Sequence, residues 1–241
     1  MAQPQVMMVQ VTEAPQEDWK SGLFGCCSSP KNLIFACCLP WCAVADARTK
    51  FDGSNCCFNV MCVGIVAGRN IIREGYKIKG GCIGDLIATL FCPVCVMTQM
   101  MNEVESRGKV TAQYGSNRPA TEVPWKHSIF DICFNSSNFI YGCCCPSCAI
   151  AQARTDFDGS DCCFNFLCFT PCLARSVIRE GYNIEGSCIM DILCPWLCVE
   201  CVACQLMNEV SDRGKVTKQY VSVTAAPQVP STVPQAQSVV R

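Results

Sequence analysis

Cysteine at helical spacing is the first chemistry this sequence offers. Cys92 and Cys95 stand at i, i+3, as do Cys198 and Cys201, so each pair falls on one face of a helix. Cys37, Cys38 and Cys42 in the first half, and Cys143, Cys144 and Cys148 in the second, are thiols able to complete a four-thiolate set. Zinc accepts four thiolates in tetrahedral geometry, which makes it the metal cofactor the pattern suggests. The same ten residues serve equally well as disulfide partners, with a connectivity that spacing alone leaves open. Adjacent pairs such as Cys37-Cys38 and Cys56-Cys57 point in different directions and each residue would need its own partner. Two further fates stay open: burial as small core hydrophobes and attachment of lipid at the surface. Cys194, Cys198 and Cys201 recur at i, i+4, i+7, which is also the spacing of a core stripe.

The chain aligns with itself at an offset of 106 residues, which places Trp19 on Trp125, Phe24 on Phe130 and Arg48 on Arg154, with about half the positions identical. One long period marks a duplicated domain, since solenoid repeats run roughly 20–50 residues. The expected organisation is a flexible lead at 1–18, a domain at 19–114, a linker at 115–124, a second domain at 125–220 and a disordered Pro- and Gln-rich tail at 221–241. Ten cysteines recur in both copies: Cys27, Cys37, Cys38, Cys42, Cys56, Cys57, Cys62, Cys82, Cys92 and Cys95, with counterparts 106 residues on. Cys26, Cys145, Cys172, Cys194 and Cys204 are private to one copy and are expected to be incidental or to serve that copy alone.

Catalysis is not expected. His127 is the only histidine and its counterpart is Ser21, so the copies share no Cys/His or Ser/His arrangement. The stretch Gly80–Gly84 loosely evokes a phosphate loop, but the second copy keeps only Gly186 and has Ser187 and Met190 in place of Gly81 and Gly84, so those glycines are not required. Nineteen Lys and Arg against 20 Asp and Glu leave a net charge of -1, which argues against nucleic acid as a partner. The recurring Arg48/Arg154, Arg73-Glu74/Arg179-Glu180 and Asp85/Asp191 read as structural, the arginine near one helix end and the aspartate in the first turn of the next.

The elements that must position the thiols are helices. Residues 42–51 are helix formers, and Asp52-Gly53 ends them. Ser54 or Asn55 caps a second helix over 56–74, with Gly75 as its left-handed stop. A third is expected from near Gly81 to Arg107, with Ile83, Leu86, Ile87, Leu90, Val94, Met97 and Met101 on one face. Residues 26–41 read as an irregular, cysteine-rich opening segment, and no alternating strand stands out. The fold class is therefore mostly α: small cysteine-rich helical domains in tandem. Residues 82–101 match a membrane span in length, yet Asp85, Asp191, Glu200, Pro93 and Pro195 favour a buried core helix over a span or an interfacial segment.

Three stretches in fixed order carry a resemblance: Cys37-Cys38 followed by Pro40 and Cys42 (Cys143 to Cys148 in the second copy), then Phe51–Asn59 and Ile72–Tyr76, then Cys92, Pro93, Cys95, Gln99 and Glu103. This order resembles the cornifelin family, also called the placenta-specific gene 8 type, over roughly four-fifths of the chain. Members usually carry one copy, so the tandem arrangement is a departure. The resemblance implies no catalytic activity. It implies either a structural, cross-linked role, as cornifelin has in the cornified cell envelope, or metal handling and membrane-associated regulation, as in plant relatives affecting organ size and cadmium. The plant Cys-Pro-Cys is replaced here by Leu39-Pro40-Trp41-Cys42 and Cys145-Pro146-Ser147-Cys148.

The expected function is thus a non-enzymatic scaffold in an insoluble layer, an extracellular matrix or a membrane-associated assembly, with protein partners or self-association. The alternative is a thiolate metal-handling protein for zinc or cadmium, or a membrane-associated regulator. Twenty-five cysteines suggest an oxidising home. The first residues carry no positive region or apolar run of leader type, which points to a cytoplasmic or membrane-associated one, with unconventional secretion as the alternative. Flexible glutamines in both ends are candidate acyl donors for isopeptide cross-links, and Asn135-Ser136-Ser137 is a glycosylation sequon only in a secreted chain.

Overall fold

A computed structural model describes residues 16–115, 118–131 and 134–222. The first copy contains α1 (Pro30–Cys38), α2 (Pro40–Asp52), α3 (Cys56–Cys62), α4 (Ile65–Gly75), α5 (Cys82–Phe91), α6 (Pro93–Arg107) and the strand β1 (Val110–Tyr114). The second repeats this as α7 (Ser136–Cys144), α8 (Pro146–Asp158), α9 (Cys162–Cys168), α10 (Pro171–Gly181), α11 (Cys188–Leu197), α12 (Val199–Arg213) and β2 (Lys218–Ser222). The mostly α, cysteine-rich tandem architecture is as expected. The expected tail beyond residue 222 and most of the expected lead lie outside the described residues, as does Cys133.

Several boundaries differ from expectation for local reasons. The opening segment is helical over most of its length, because Pro30 and Pro40 each sit at the first position of a helix, where a missing N–H costs nothing. The single helix expected over 56–74 is two. Asn55 caps α3 by accepting from the Phe58 amide, and Val63 and Gly64 are then extended before α4 begins. In the second copy Thr170 caps α10 with Pro171 behind it, which marks the same break openly. The helix expected over 82–107 also breaks, at Cys92, whose sulfur caps α6 by accepting from the Cys95 amide. Proline is not the sole cause: Val199 replaces Pro93 in the second copy, yet Cys198 caps α12 in the same way.

Gly53 takes the left-handed conformation (φ 79°) that ends α2. Gly75 does not play that part. It closes α4, and the left-handed residue is Lys77 (φ 54°), matched by Asn183. Gly75 is glycine because a Cβ there would overlap the Phe51 ring, and Gly181 stands against Phe157 in the same way.

The first core gathers Val44, Phe51, Ile72, Met97 and Met100 from α2, α4 and α6, the second Ile150, Phe157, Ile178 and Leu206. Each such side chain contributes about 1.5–3 kcal/mol by burial. The copies also share structure. Leu173, from the second copy, is buried in the first core. Two short strands, not anticipated, pair antiparallel with Ala112 opposite Tyr220. Tyr220 thereby reaches Phe51 (ring centroids 5.4 Å apart), while Tyr114 packs against the second core.

The expected buried core helix holds for α6 but not for α5. Once the axis breaks at Cys92, α5 is anchored by Asp85 and Thr89 and turns Ile83, Ile87, Leu90 and Phe91 outward. Among the described residues no helix is long and apolar enough to cross a membrane.

Candidate functional site

A buried polar lattice fixes the frame on which the thiols sit. Asp85 accepts from Arg69 Nε (3.0 Å) and Arg73 Nε (2.8 Å), tying α5 to α4. Arg69 also donates to Gln99 Oε1 (2.6 Å) on α6 and lies 4.2 Å over the Trp19 ring. Gln99 Nε2 donates to the Ser21 carbonyl (2.6 Å), and Glu103 accepts from the Lys20 and Ser21 amides and from Arg107. The second copy repeats the lattice with Asp191, Arg179, Arg175, Gln205, Trp125 and Glu209. Burial lowers the Arg69 pKa although Asp85 opposes this, and burial raises that of Asp191 against the pull of Arg179 and Arg175. His127 belongs here too. It is buried, its Nε2 is 2.8 Å from Asp212, and its ring packs on Phe134.

The lattice pins the segment from Trp19 to Ser21 onto α6, and a 3₁₀ turn at Gly25–Ser28 follows. This carries Cys26 to the start of α6, where its sulfur stands 3.8 Å from Cys95 Sγ. Cys92 and Cys95 are themselves within bonding distance, with Cα atoms 5.3 Å apart. So are Cys198 and Cys201, and so are Cys145 and Cys148 at the head of α8. Each of the three pairs therefore sits at a helix N-terminus, with the second cysteine three residues after the first.

Of the sequence candidates, the structure brings together Cys92 with Cys95, Cys198 with Cys201, and Cys148 with the private Cys145. Cys37, Cys38, Cys143 and Cys144 are exposed, and Cys42 is half-buried. Among the described residues no group of three or more His, Cys, Asp or Glu is placed to hold a metal ion. The Cys145–Cys148 spacing was visible in the sequence; the approach of Cys26, remote in the chain, was not. Arg69 and Arg175 also recur at the 106-residue offset, and that recurrence is the sequence signal for their place in the lattice.

A second thiol group lies between the copies. Thr170 Oγ1 donates to the Cys62 carbonyl (3.0 Å), and two residues on, Cys172 meets the Cys62 sulfur. The hydrogen bond between them, chiefly, raises the Cys62 pKa and lowers that of Cys172. Cys172 thus serves both copies, contrary to its expected private role; its counterpart is Val66. Residues of both copies also line an open cavity of about 470 Å³, among them Arg48, Arg73, Glu74, Arg154, Asp158 and Lys218.

The surface carries the remaining chemistry. Cys37-Cys38, Cys56-Cys57, Cys143-Cys144 and Cys162-Cys163 are all exposed. Ile34 shares the outer face of α1 with Cys37 and Cys38, at i, i+3 and i+4, and Ile140 does so with Cys143 and Cys144 on α7. Met61 follows Cys57 by four residues and Leu167 follows Cys163 likewise, both exposed. At the end of α11, Trp196 and Leu197 are 86% and 83% exposed.

The PLAC8 family profile matches residues 19–103 and again 125–209. Cornifelin homolog B of Xenopus laevis is 30% identical over 106 residues, covering 44% of this chain and 94% of its own length. Placenta-specific gene 8 protein of Mus musculus is 32% identical over 117 residues, covering 46% and 99%. Protein MID1-COMPLEMENTING ACTIVITY 1 of Arabidopsis thaliana is 27% identical over 121 residues, which is 45% of this chain and 28% of that protein. No solved structure matches.

Proposed function

Because this chain belongs to the PLAC8 family and carries its domain twice, we propose that it is a non-enzymatic scaffold that joins protein neighbours, or copies of itself, through exposed thiols. The observation that carries this reading is the set of four adjacent exposed cysteine pairs, at the same positions in both copies, each sharing a helix face with an exposed apolar side chain. A reduced thiol in water adds nothing to a core, so packing does not account for these residues. An apolar neighbour gives each pair a docking contact, and two copies in one chain make the scaffold bivalent, which raises avidity without any new contact. An insoluble or membrane-associated assembly suits such a surface. The structural setting of His127 and of the charged lattice supports the non-enzymatic part of the reading.

The test uses the full chain, purified reduced and then oxidised in air. Non-reducing electrophoresis is expected to show multimers that reductant dissolves, and a variant with the eight paired cysteines changed to serine is expected to stay monomeric. A wild-type chain that stays monomeric with those eight thiols free overturns the proposal. Thiols that alkylate only after chelation, with zinc in the purified protein, overturn it in favour of metal handling.

A further inference from the structure

We propose that Cys26 opens the Cys92–Cys95 disulfide by internal thiol–disulfide exchange, and that the freed Cys92 is the site that attacks an exposed disulfide of a protein partner. This goes beyond the scaffold reading by adding a thiol outside the four surface pairs as a further point where a covalent link starts.

The geometry carries the step. The Cys26 sulfur is 3.8 Å from Cys95, the buried member of the pair, and Cys26 itself is half-exposed, so solvent base can take its proton. The Cys26 thiolate attacks Cys95 Sγ, the bond between Cys95 and Cys92 breaks, and its electron pair leaves on Cys92. The products are a Cys26–Cys95 disulfide and a Cys92 thiolate, with no net oxidation and no external oxidant. Cys92 is a good leaving group for a structural reason. It is the N-cap of α6, a helix of 15 residues, and its sulfur already accepts the Cys95 amide at 3.4 Å, so the negative charge forms where the helix N-terminus stabilises it. The freed thiolate then attacks one sulfur of a partner disulfide. A mixed disulfide forms on Cys92, and the other partner sulfur leaves as thiolate.

The second copy supplies an internal control. Cys198 caps α12 and pairs with Cys201 in the same arrangement, but Ile132 stands at the position of Cys26. Among the described residues of the second copy, no thiol stands against Cys201 as Cys26 does against Cys95. The private cysteine of the first copy is thus what makes the two otherwise equal sites unequal.

The experiment is peptide mapping of the full oxidised chain after N-ethylmaleimide without reductant, and separately after oxidised glutathione as the model disulfide. The expected result is a Cys26–Cys95 linked peptide with Cys92 carrying maleimide or glutathione, while Cys198 stays unlabelled. Cys26→Ser is expected to abolish the linked peptide and to lower Cys92 labelling at least tenfold. Cys62, a free and buried thiol, serves as the folding check, because an unfolded variant would take maleimide there as well. Cys26→Ala is the second variant should the serine not fold. Equal Cys92 labelling with and without Cys26 overturns the proposal, as does a Cys26 that alkylates while Cys92–Cys95 stays closed. Reactivity of all three only after chelation overturns it too, by showing thiolates held on a metal. None of these results bears on the multimers formed through the paired surface cysteines, so the two proposals fail separately.

Discussion

Changing Asp85 to asparagine alters one atom of a side chain that is 2% exposed and leaves its volume intact. It removes the one charge that, among the described residues, bonds both Arg69 Nε (3.0 Å) and Arg73 Nε (2.8 Å), two guanidinium groups that are themselves buried. Gln99 still accepts from Arg69 and the Gly80 carbonyl from Arg73, neither of which neutralises a charge, and the carboxylate that remains is that of exposed Glu74, 3.5 Å from Arg73 and not bonded to Arg69. Removing one partner of a buried ion cluster costs about 3–5 kcal/mol, because the remaining charges are stranded in low dielectric. That is a large share of the roughly 5–15 kcal/mol that holds a domain folded. With a urea slope of about 1–3 kcal/mol per molar, the midpoint of unfolding is expected to fall by at least about 1 M. The assay is urea titration followed by far-ultraviolet circular dichroism and by tryptophan fluorescence, to which Trp19 over Arg69 contributes a local signal. The companion variant replaces all three groups with apolar ones, Asp85→Leu with Arg69→Met and Arg73→Met. Its midpoint is expected to lie above that of Asp85→Asn, since no charge is left buried. A midpoint for Asp85→Asn within 0.3 M of wild type (roughly the noise of such a titration), or a triple variant less stable than the single one, refutes the reasoning.

Two further outcomes follow from the same packing and charge. Gly75→Ala forces a methyl group into the Phe51 ring and is expected to cost about 1–3 kcal/mol, read as a fall in thermal midpoint, with Gly181→Ala against Phe157 behaving alike. Acid is expected to destabilise the chain through Asp52 and Asp158. Burial works to raise these carboxyls, but Arg48 with Ser54, and Arg154 with Ser160, hold both below the usual range. A pKa depressed in the folded state gives stability that is full above the unfolded value of about 4 and is lost as pH falls through the folded one. Urea midpoints measured between pH 5 and 2 check this, and Arg48→Met is expected to flatten the part due to Asp52.

What the sequence by itself determined is local or periodic. The 106-residue duplication, the mostly helical class, the stop at Gly53 and a cap at Ser54 or Asn55, which the structure places on Asn55, all follow from contacts within a few positions or from the chain matched against itself. The ordered motifs that pointed to the family are of the same kind. Breaks were harder, because a proline at the head of a helix and a cysteine acting as a cap look like interruptions of a pattern and are in fact starts of elements. Tertiary structure alone decided which thiols remote in the chain meet. Cys26 reaches Cys95 across 69 positions because Glu103 and Gln99 hold the preceding residues on α6, and Cys62 reaches Cys172 because the two copies pack together. It also decided that Asp85 answers two arginines of α4 and not only a helix dipole, that Tyr114 and Tyr220 cross between the copies, and that α5 faces outward. The physical reason is common to all of these. A contact between remote thiols or a buried ion pair between helices is selected by distance through space, and that distance is fixed only after the cores have closed and set the helices at their angles.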